Sequence, residues 1–407
     1  MTAATLDDLD HARITALDTS GWGRSFTFFQ PRNLAFWVYL VLVGTGMFTF
    51  TAMLAGRYAA YGRAIVVSGV LFAVYGALLW WFTHSIDRYA HQPVALRVTA
   101  FGWGAFAATW TMAAHANDAV RNLYAKAFGQ AWSLDWGAGL AAPFDEEIAK
   151  GLGVLLLIAL APRLVRTAFD GFILGAFVGL GFQLFEDISY ALSSAGSQFG
   201  ANQVEAALTT VWLRMATGLS GHILYSAVFC AGLVYLLGRP AEPRRVGRGL
   251  TLMATAMVLH GVWDSTAALV RGHTALVLVS MLAVIVVALV VAAKVFTLTV
   301  STEREFLRAV MAPEVARGAL AESELEAMCG DRKARRRFRR AGRNRRDRVR
   351  AAHVLEAAYD LADALAVARG TDTARVQFVR SELARIRAGA RPPVKEPRPA
   401  AEGCGDK

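Results

Sequence analysis

From about Leu34 to Val300 the chain is a succession of long apolar runs, and from Ser301 onward it turns polar and basic. Apolar runs of roughly eighteen residues or more are what a bilayer-crossing helix needs and a water-soluble core does not. Read by hydropathy, the pattern predicts eight spans: Leu34 to Ala55, Ala64 to Phe82, Val94 to Ala114, Leu140 to Ala161, Phe169 to Leu192, Val211 to Leu237, Gly249 to Val270 and Thr274 to Val300. The expected fold class is therefore all-α: a polytopic membrane protein of about eight transmembrane helices with a basic helical C-terminal cytoplasmic tail. The expected divisions are residues 1–33, an N-terminal cytoplasmic segment; 34–300, the transmembrane domain, with its polar motifs in 140–270; 301–390, the basic helical tail; and 391–407, Pro-rich, charged and expected to be disordered.

Charge adds orientation. The chain has 407 residues and a formal net charge of +11. An even number of spans puts both termini on one side. If that side is the cytoplasm, the inner loops hold eight Arg or Lys (Arg88, Arg97, Arg163, Arg166, Arg239, Arg244, Arg245, Arg248). The outer loops then hold five (Arg57, Arg63, Arg121, Lys126, Arg271). The arginine-rich tail adds to this bias, so the chain is read as a multi-pass plasma-membrane protein with both termini cytoplasmic. Residues Met1 to Arg32 have no cleaved-signal pattern, and the first span is expected to act as an uncleaved signal. Three cysteines, Cys230, Cys329 and Cys404, are too few and too scattered for a disulfide framework or a thiolate metal site.

Within the tail, Arg332 to Arg350 holds twelve Arg or Lys and one acid, Asp347. Close to the last span, this segment is expected to rest on anionic lipid headgroups at about 1 kcal/mol per basic residue, and nucleic acid is not the expected partner. Beyond it, Val354, Leu355, Ala358, Leu361 and Leu365, then Val376, Val379, Leu383 and Ile386, follow helical spacing. They predict a two-helix hairpin turning at Gly370.

The ionisable residues inside the apolar runs carry the candidate chemistry. Glu146, Glu147 and Lys150 open the fourth span, with the lysine four and three residues after the two acids, so all three can share a helix face or edge. Glu186 sits in the fifth span, followed by Asp187, with small residues at 175, 179 and 181 that let a neighbouring helix approach. His222 is placed deep in the sixth. His260 and Asp264, four apart in the seventh, face the same way. Arg214 is read as snorkelling from near the start of its span. His84, His91, His115 and His273, at loop edges, are read as surface residues.

Charges in a membrane helix are costly unless they pair or line a wet cavity, so these are read as one site. Such a set supports hydrolysis, with Glu146 or Glu147 as general base. Glu186, His222 and His260, with Asp264 as a ligand or behind one, match the three-ligand count of a catalytic Zn2+ site. A metal-free version, with the histidines donating to an oxyanion, is equally drawable. Two other classes also fit: a proton- or cation-coupled transporter, although no inverted repeat is evident, and a non-catalytic membrane scaffold.

In this order, the residues resemble the PrsW family of intramembrane proteases, related to CAAX prenyl endopeptidases and bacteriocin-processing membrane proteases. Its paired-glutamate motif is matched by Glu146, Glu147 and Lys150, and its Phe-to-Glu motif by Phe182 and Glu186. Its histidine helix is matched by His222, and its final His-to-acid motif by His260 and Asp264. Asp187 departs from the Asn expected there. The resemblance covers about residues 140 to 270 and implies peptide-bond cleavage in a membrane-associated substrate of the anti-sigma-factor type, by a metallo- or glutamate-dependent mechanism.

Overall fold

The computed structural model describes residues 5–89, 92–197, 201–218 and 221–389. The segment 391–407, with Cys404, and His91 lie outside these. Among the described residues the fold is all-α, and a single bridge between Arg239 and Glu242 is the sole trace of β-structure. The helices are α1 (Leu6–Ser20), α2 (Leu34–Ile86), α3 (Val94–Gly102), a π-helical stretch Trp103–Ala113, α4 (Ala114–Phe128), α5 (Gln130–Leu160), α6 (Ala168–Ala195), α7 (Gln203–Thr217), α8 (His222–Leu237), α9 (Val246–Asp264), α10 (Thr266–Leu269), α11 (Thr274–Ala316), α12 (Glu322–Cys329), α13 (Arg332–Arg340), α14 (Arg345–Val367) and α15 (Ala374–Ala388). They form two compact units, residues 16–306 and residues 5–15 with 307–389.

Three helices among the described residues, α2, α6 and α11, are long and apolar enough to cross a membrane, and a fourth crossing arises if the bent pair α7–α8 is one span. The first two expected spans fall together in α2, a 53-residue helix whose register breaks at Tyr61 (φ −125°, ψ 19°). Helix α5 carries Asp145, Glu146, Glu147 and Lys150 within two turns, more charge than an apolar crossing helix holds without partners. The outward faces of α2 and α11 are apolar, with Phe48, Trp81, Leu278 and Val279 all exposed. Apolar surface of this extent on long helices matches a hydrocarbon surround.

Helix α6 is the hub of the larger unit. It is buried on nearly every side from Ala168 to Leu184, which suits a helix apolar all round. Its start is fixed by a reciprocal cap in which Thr167 accepts from the Asp170 amide and Asp170 accepts from the Thr167 amide. Gly171, Gly175 and Gly179 recur every fourth residue and face α8. A Cβ on Gly179 would lie 2.3 Å from the His222 carbonyl oxygen, and one on Gly175 2.4 Å from that of Ser226. The α6–α8 crossing is thus set by backbone-to-backbone approach. Helices α5 and α9 meet in the same way at Gly139 and Gly261. Pro143 lies one turn later in α5, and it cannot donate to the Gly139 carbonyl at that crossing. Trp103 locks the π-helical stretch onto α5 by donating from Nε1 to the Ala149 carbonyl at 2.9 Å.

In the smaller unit, Val354, Leu355, Ala358, Leu361 and Leu365 of α14 and Val376, Val379 and Leu383 of α15 are buried, while Ile386 is half-buried. The turn between them holds Gly370 at φ +80°, where a side chain would be strained. At this unit's centre the Glu314 carboxylate accepts from Arg13 at 2.8 Å, Arg380 at 2.8 Å and Arg317 at 3.3 Å. Arg380 also binds Asp372, and its guanidinium holds that carboxyl below its ordinary pKa. Helix α13 starts at an Asp331 cap and has no buried residue, leaving its arginines on the surface.

Candidate active site

Each polar helix of the larger unit brings a predicted residue to one point. Glu146 and Glu147 are adjacent in α5 and point different ways. Glu147 has no exposed surface. Its Oε1 accepts from Lys150 Nζ at 2.7 Å and faces His260 Nδ1 at 3.1 Å, and its Oε2 accepts from Ser226 at 3.2 Å. Glu146 accepts from Asn117 Nδ2 at 3.0 Å through Oε1. Its Oε2 stands 3.5 Å from Lys150 Nζ and 3.6 Å from both His222 Nδ1 and His260 Nε2.

Lys150 is wholly buried, and its ammonium lies 4.2 Å above the Phe182 ring. That contact explains the spacing of Phe182 and Glu186: the ring receives the lysine, and the acid one turn on receives the histidine. Lys150 donates to His222 Nδ1 at 3.0 Å, so the imidazole hydrogen is on Nε2, which donates to Glu186 Oε2 at 3.0 Å. His260 Nε2 also lies 3.4 Å from Asp264 Oδ2. All seven sequence-predicted residues, Glu146, Glu147, Lys150, Glu186, His222, His260 and Asp264, are thereby linked through contacts of 3.6 Å or less. Glu146, Glu186, His222, His260 and Asp264 line a cavity of about 240 Å³, while Glu147 and Lys150 lie behind its wall.

Two expectations change in the structure. His222 is not deep in a continuous span. It is the first residue of α8, after a break between Thr217 and Gly221 where the axis bends by 42°. Two glycines, Gly218 and Gly221, flank that break, and glycine is a poor helix former. Arg214 does not snorkel. Its Nη2 donates to Glu186 Oε2 at 2.7 Å and its Nε to Asp187, and it lines the cavity. Asp187, the departure from the family pattern, is thus the partner of an arginine.

Sequence reading also passed over Asn117 on Glu146 and Tyr225. The Tyr225 ring stacks on His260 with centroids 5.3 Å apart and planes at 19°, and it lines the cavity. Its buried hydroxyl has no hydrogen-bond partner among the described residues. A tyrosine three residues after a histidine, on the same face of an apolar helix, was the available signal, and packing is its default meaning.

The residues whose donor atoms cluster as a metal site are Glu146, His222 and His260, one ligand atom of each lying within 4.8 Å of the others. The expected set had Glu186 in place of Glu146. The 3.6 Å separations are near the edge of about 3.4 Å in a tetrahedral zinc centre. Both histidines turn the other nitrogen to a carboxylate, His222 to Glu186 and His260 to Glu147, which is how metal-binding imidazoles are oriented. The residues fit a metal, with Glu186 behind a ligand. Lys150 Nζ donates to His222 Nδ1, the nitrogen that faces Glu146, so an ion held there would replace that hydrogen bond.

Acids and imidazoles from packed apolar helices around one cavity fit the class of intramembrane hydrolases. The sequence model described as PrsW family intramembrane metalloprotease matches residues 92–293, a segment that contains every helix bearing the site. Over those residues the chain carries a PrsW family domain, that of an intramembrane protease. No curated protein and no solved structure matches it.

Proposed function

We propose that the chain is an endopeptidase that hydrolyses a peptide bond of a membrane-associated protein, of the anti-sigma-factor type, in the cavity between α5, α6, α8 and α9. The supporting observation is that Glu146, both histidines and Asp264 face the same cavity. Glu146 is the general base. It is the member of the glutamate pair that lines the cavity, and Asn117 fixes its far oxygen. Water there loses a proton to Glu146 and attacks the substrate carbonyl; the C–N bond then breaks as Glu146 returns that proton to the departing amine. Glu147 serves as an anchor, its oxygens occupied by Lys150, Ser226 and His260. His260 and the Tyr225 hydroxyl supply the donors for the oxyanion.

A Zn2+ ion held by Glu146, His222 and His260 would supply a polarised water and a Lewis acid for the carbonyl. In that case Asp264 is the cavity carboxylate left to take the proton. In both versions Arg214 holds Glu186, and Glu186 holds the ring of His222.

The same reading includes an eight-span, multi-pass plasma-membrane topology with both termini cytoplasmic. It also has Arg332 to Arg350 resting on anionic lipid headgroups, supported by the absence of any buried residue in α13. The test is to incubate purified protein in detergent with single-span membrane proteins and map new termini by mass spectrometry. Cleavage that disappears in Glu146→Gln sustains the reading. Proton or cation flux in proteoliposomes without any cleavage would replace it with a transporter.

A further inference from the structure

Two arginines line the cavity, Arg121 of α4 and Arg214 of α7. Arg214 is satisfied by Glu186 and Asp187. Among the described residues Arg121 takes part in no ion pair with a carboxylate. The position of Arg121 is nonetheless fixed. Its carbonyl accepts from Ser133 at 2.8 Å, and its side chain crosses α5 so closely that a Cβ on Gly137 would meet Arg121 Cγ at 3.4 Å. Asn117, four residues earlier on the same helix face, donates to Glu146. One face of α4 therefore presents Asn117 to the reactive carboxylate and carries, one turn and about 6 Å of backbone further along the axis, the cavity-lining Arg121 with no acidic partner among the described residues.

We infer that Arg121 is a specificity-determining residue that binds a carboxylate of the substrate close to the scissile bond. This rests on the endopeptidase reading and names its substrate class. A planar guanidinium takes a carboxylate bidentately. An extended peptide advances about 3.3 Å per residue, so the bound carboxylate belongs to a residue one or two positions from the bond facing Glu146. The carboxylate has two chemical sources, an Asp or Glu side chain or the free C-terminus of a substrate. An acid this near the cut also sits better at a wet cavity than in hydrocarbon, so the arginine selects substrates whose charge is already at the membrane boundary.

The experiment profiles cleavage of quenched-fluorescent peptide libraries, randomised around the cut and made with free or amidated C-termini. It compares the full-length wild type with Arg121→Gln and Arg121→Glu, after matching melting temperatures confirm that the variants are folded. The expected result is a preference of about tenfold or more for a carboxylate at one fixed position. Arg121→Gln abolishes that preference, and Arg121→Glu turns it toward Lys. Dependence on Asp or Glu identifies a side-chain source, and dependence on a free terminus identifies the C-terminal source. Cleavage without acidic preference, or a preference surviving both substitutions, overturns the inference and leaves the endopeptidase reading standing. Absence of cleavage by the wild type against every peptide overturns both.

Discussion

Glu314 in the smaller unit and Glu146 in the larger are both carboxylates taken out of water, and their surroundings differ in kind. Glu314 is enclosed by three guanidiniums, at 2.8, 2.8 and 3.3 Å. Its charge is neutralised several times over by groups that surround it, which describes a bolt between helices. Glu146 is nearly as hidden, 3% exposed, yet one oxygen faces an amide and the other a lysine and two imidazoles at the wall of a cavity. Burial alone does not distinguish a structural acid from a reactive one. What distinguishes them is whether the partners close every approach or leave one open. Glu147 applies the same rule inside the site: its oxygens are taken, and it is the bolt beside the working group.

The comparison can be broken most directly at Glu146. Glu146→Gln keeps the shape and should cut cleavage by roughly 10³-fold, within the span of general-base effects, with an unchanged melting profile. Near-wild-type turnover on any peptide the parent cleaves would move the base elsewhere. Truncating the two bolts tests the other side. Glu147→Ala leaves Lys150 buried without its closest partner, and Glu314→Ala does the same to Arg13. Each should cost about 3–5 kcal/mol by denaturant titration or thermal melting. Glu314→Ala protein that remains folded should still cleave; if it does not, the division between bolt and reactive acid is misplaced.

Tyr225→Phe preserves the ring stacked on His260 and deletes only the hydroxyl, so a kcat lower by about 10² with KM little changed is expected for a lost oxyanion donor. A KM effect alone would assign the hydroxyl to substrate binding. Elemental analysis with a chelator sharpens the role of Glu146. Stoichiometric zinc whose removal stops cleavage makes it a ligand, and activity indifferent to chelation makes it the base. The smallest effect is expected at the surface. Replacing Arg335, Arg336 and Arg337 with Gln should weaken binding to phosphatidylserine vesicles by about 1 kcal/mol per residue, read by co-sedimentation, without altering cleavage in detergent.

Much of this was legible in the chain before any coordinates. The hairpin of α14 and α15 follows from apolar spacing and one glycine. The convergence of Glu146, Glu186, His222, His260 and Asp264 follows from the cost of leaving charges in an apolar run. The rest depends on directions that spacing does not encode. Adjacent glutamates on a helix are about 100° apart, so which of them meets the cavity is settled by the neighbouring helices. Arg214 read as a snorkelling side chain because its partners lie 27 and 28 residues away on another helix. His222 read as mid-span because hydropathy averages across Gly218 and Gly221. The partner of His222 Nε2, Glu186, could not be told from a ligand, because both roles require an acid within reach of an imidazole.

The interruption between α7 and α8 has a consequence for supply. Peptide groups cannot be left bare in hydrocarbon, so a chain that stops being helical among apolar segments does so against protein or against water. Here it stops beside His222 and Gly218, both on the rim of the reactive chamber. Gly218, Gly221 and His222 therefore put backbone at the wall of the chamber that must hold water for hydrolysis, and because a Cβ on Gly218 would lie 2.3 Å from Gln183 Nε2, Gly218→Leu should reshape that wall and slow cleavage.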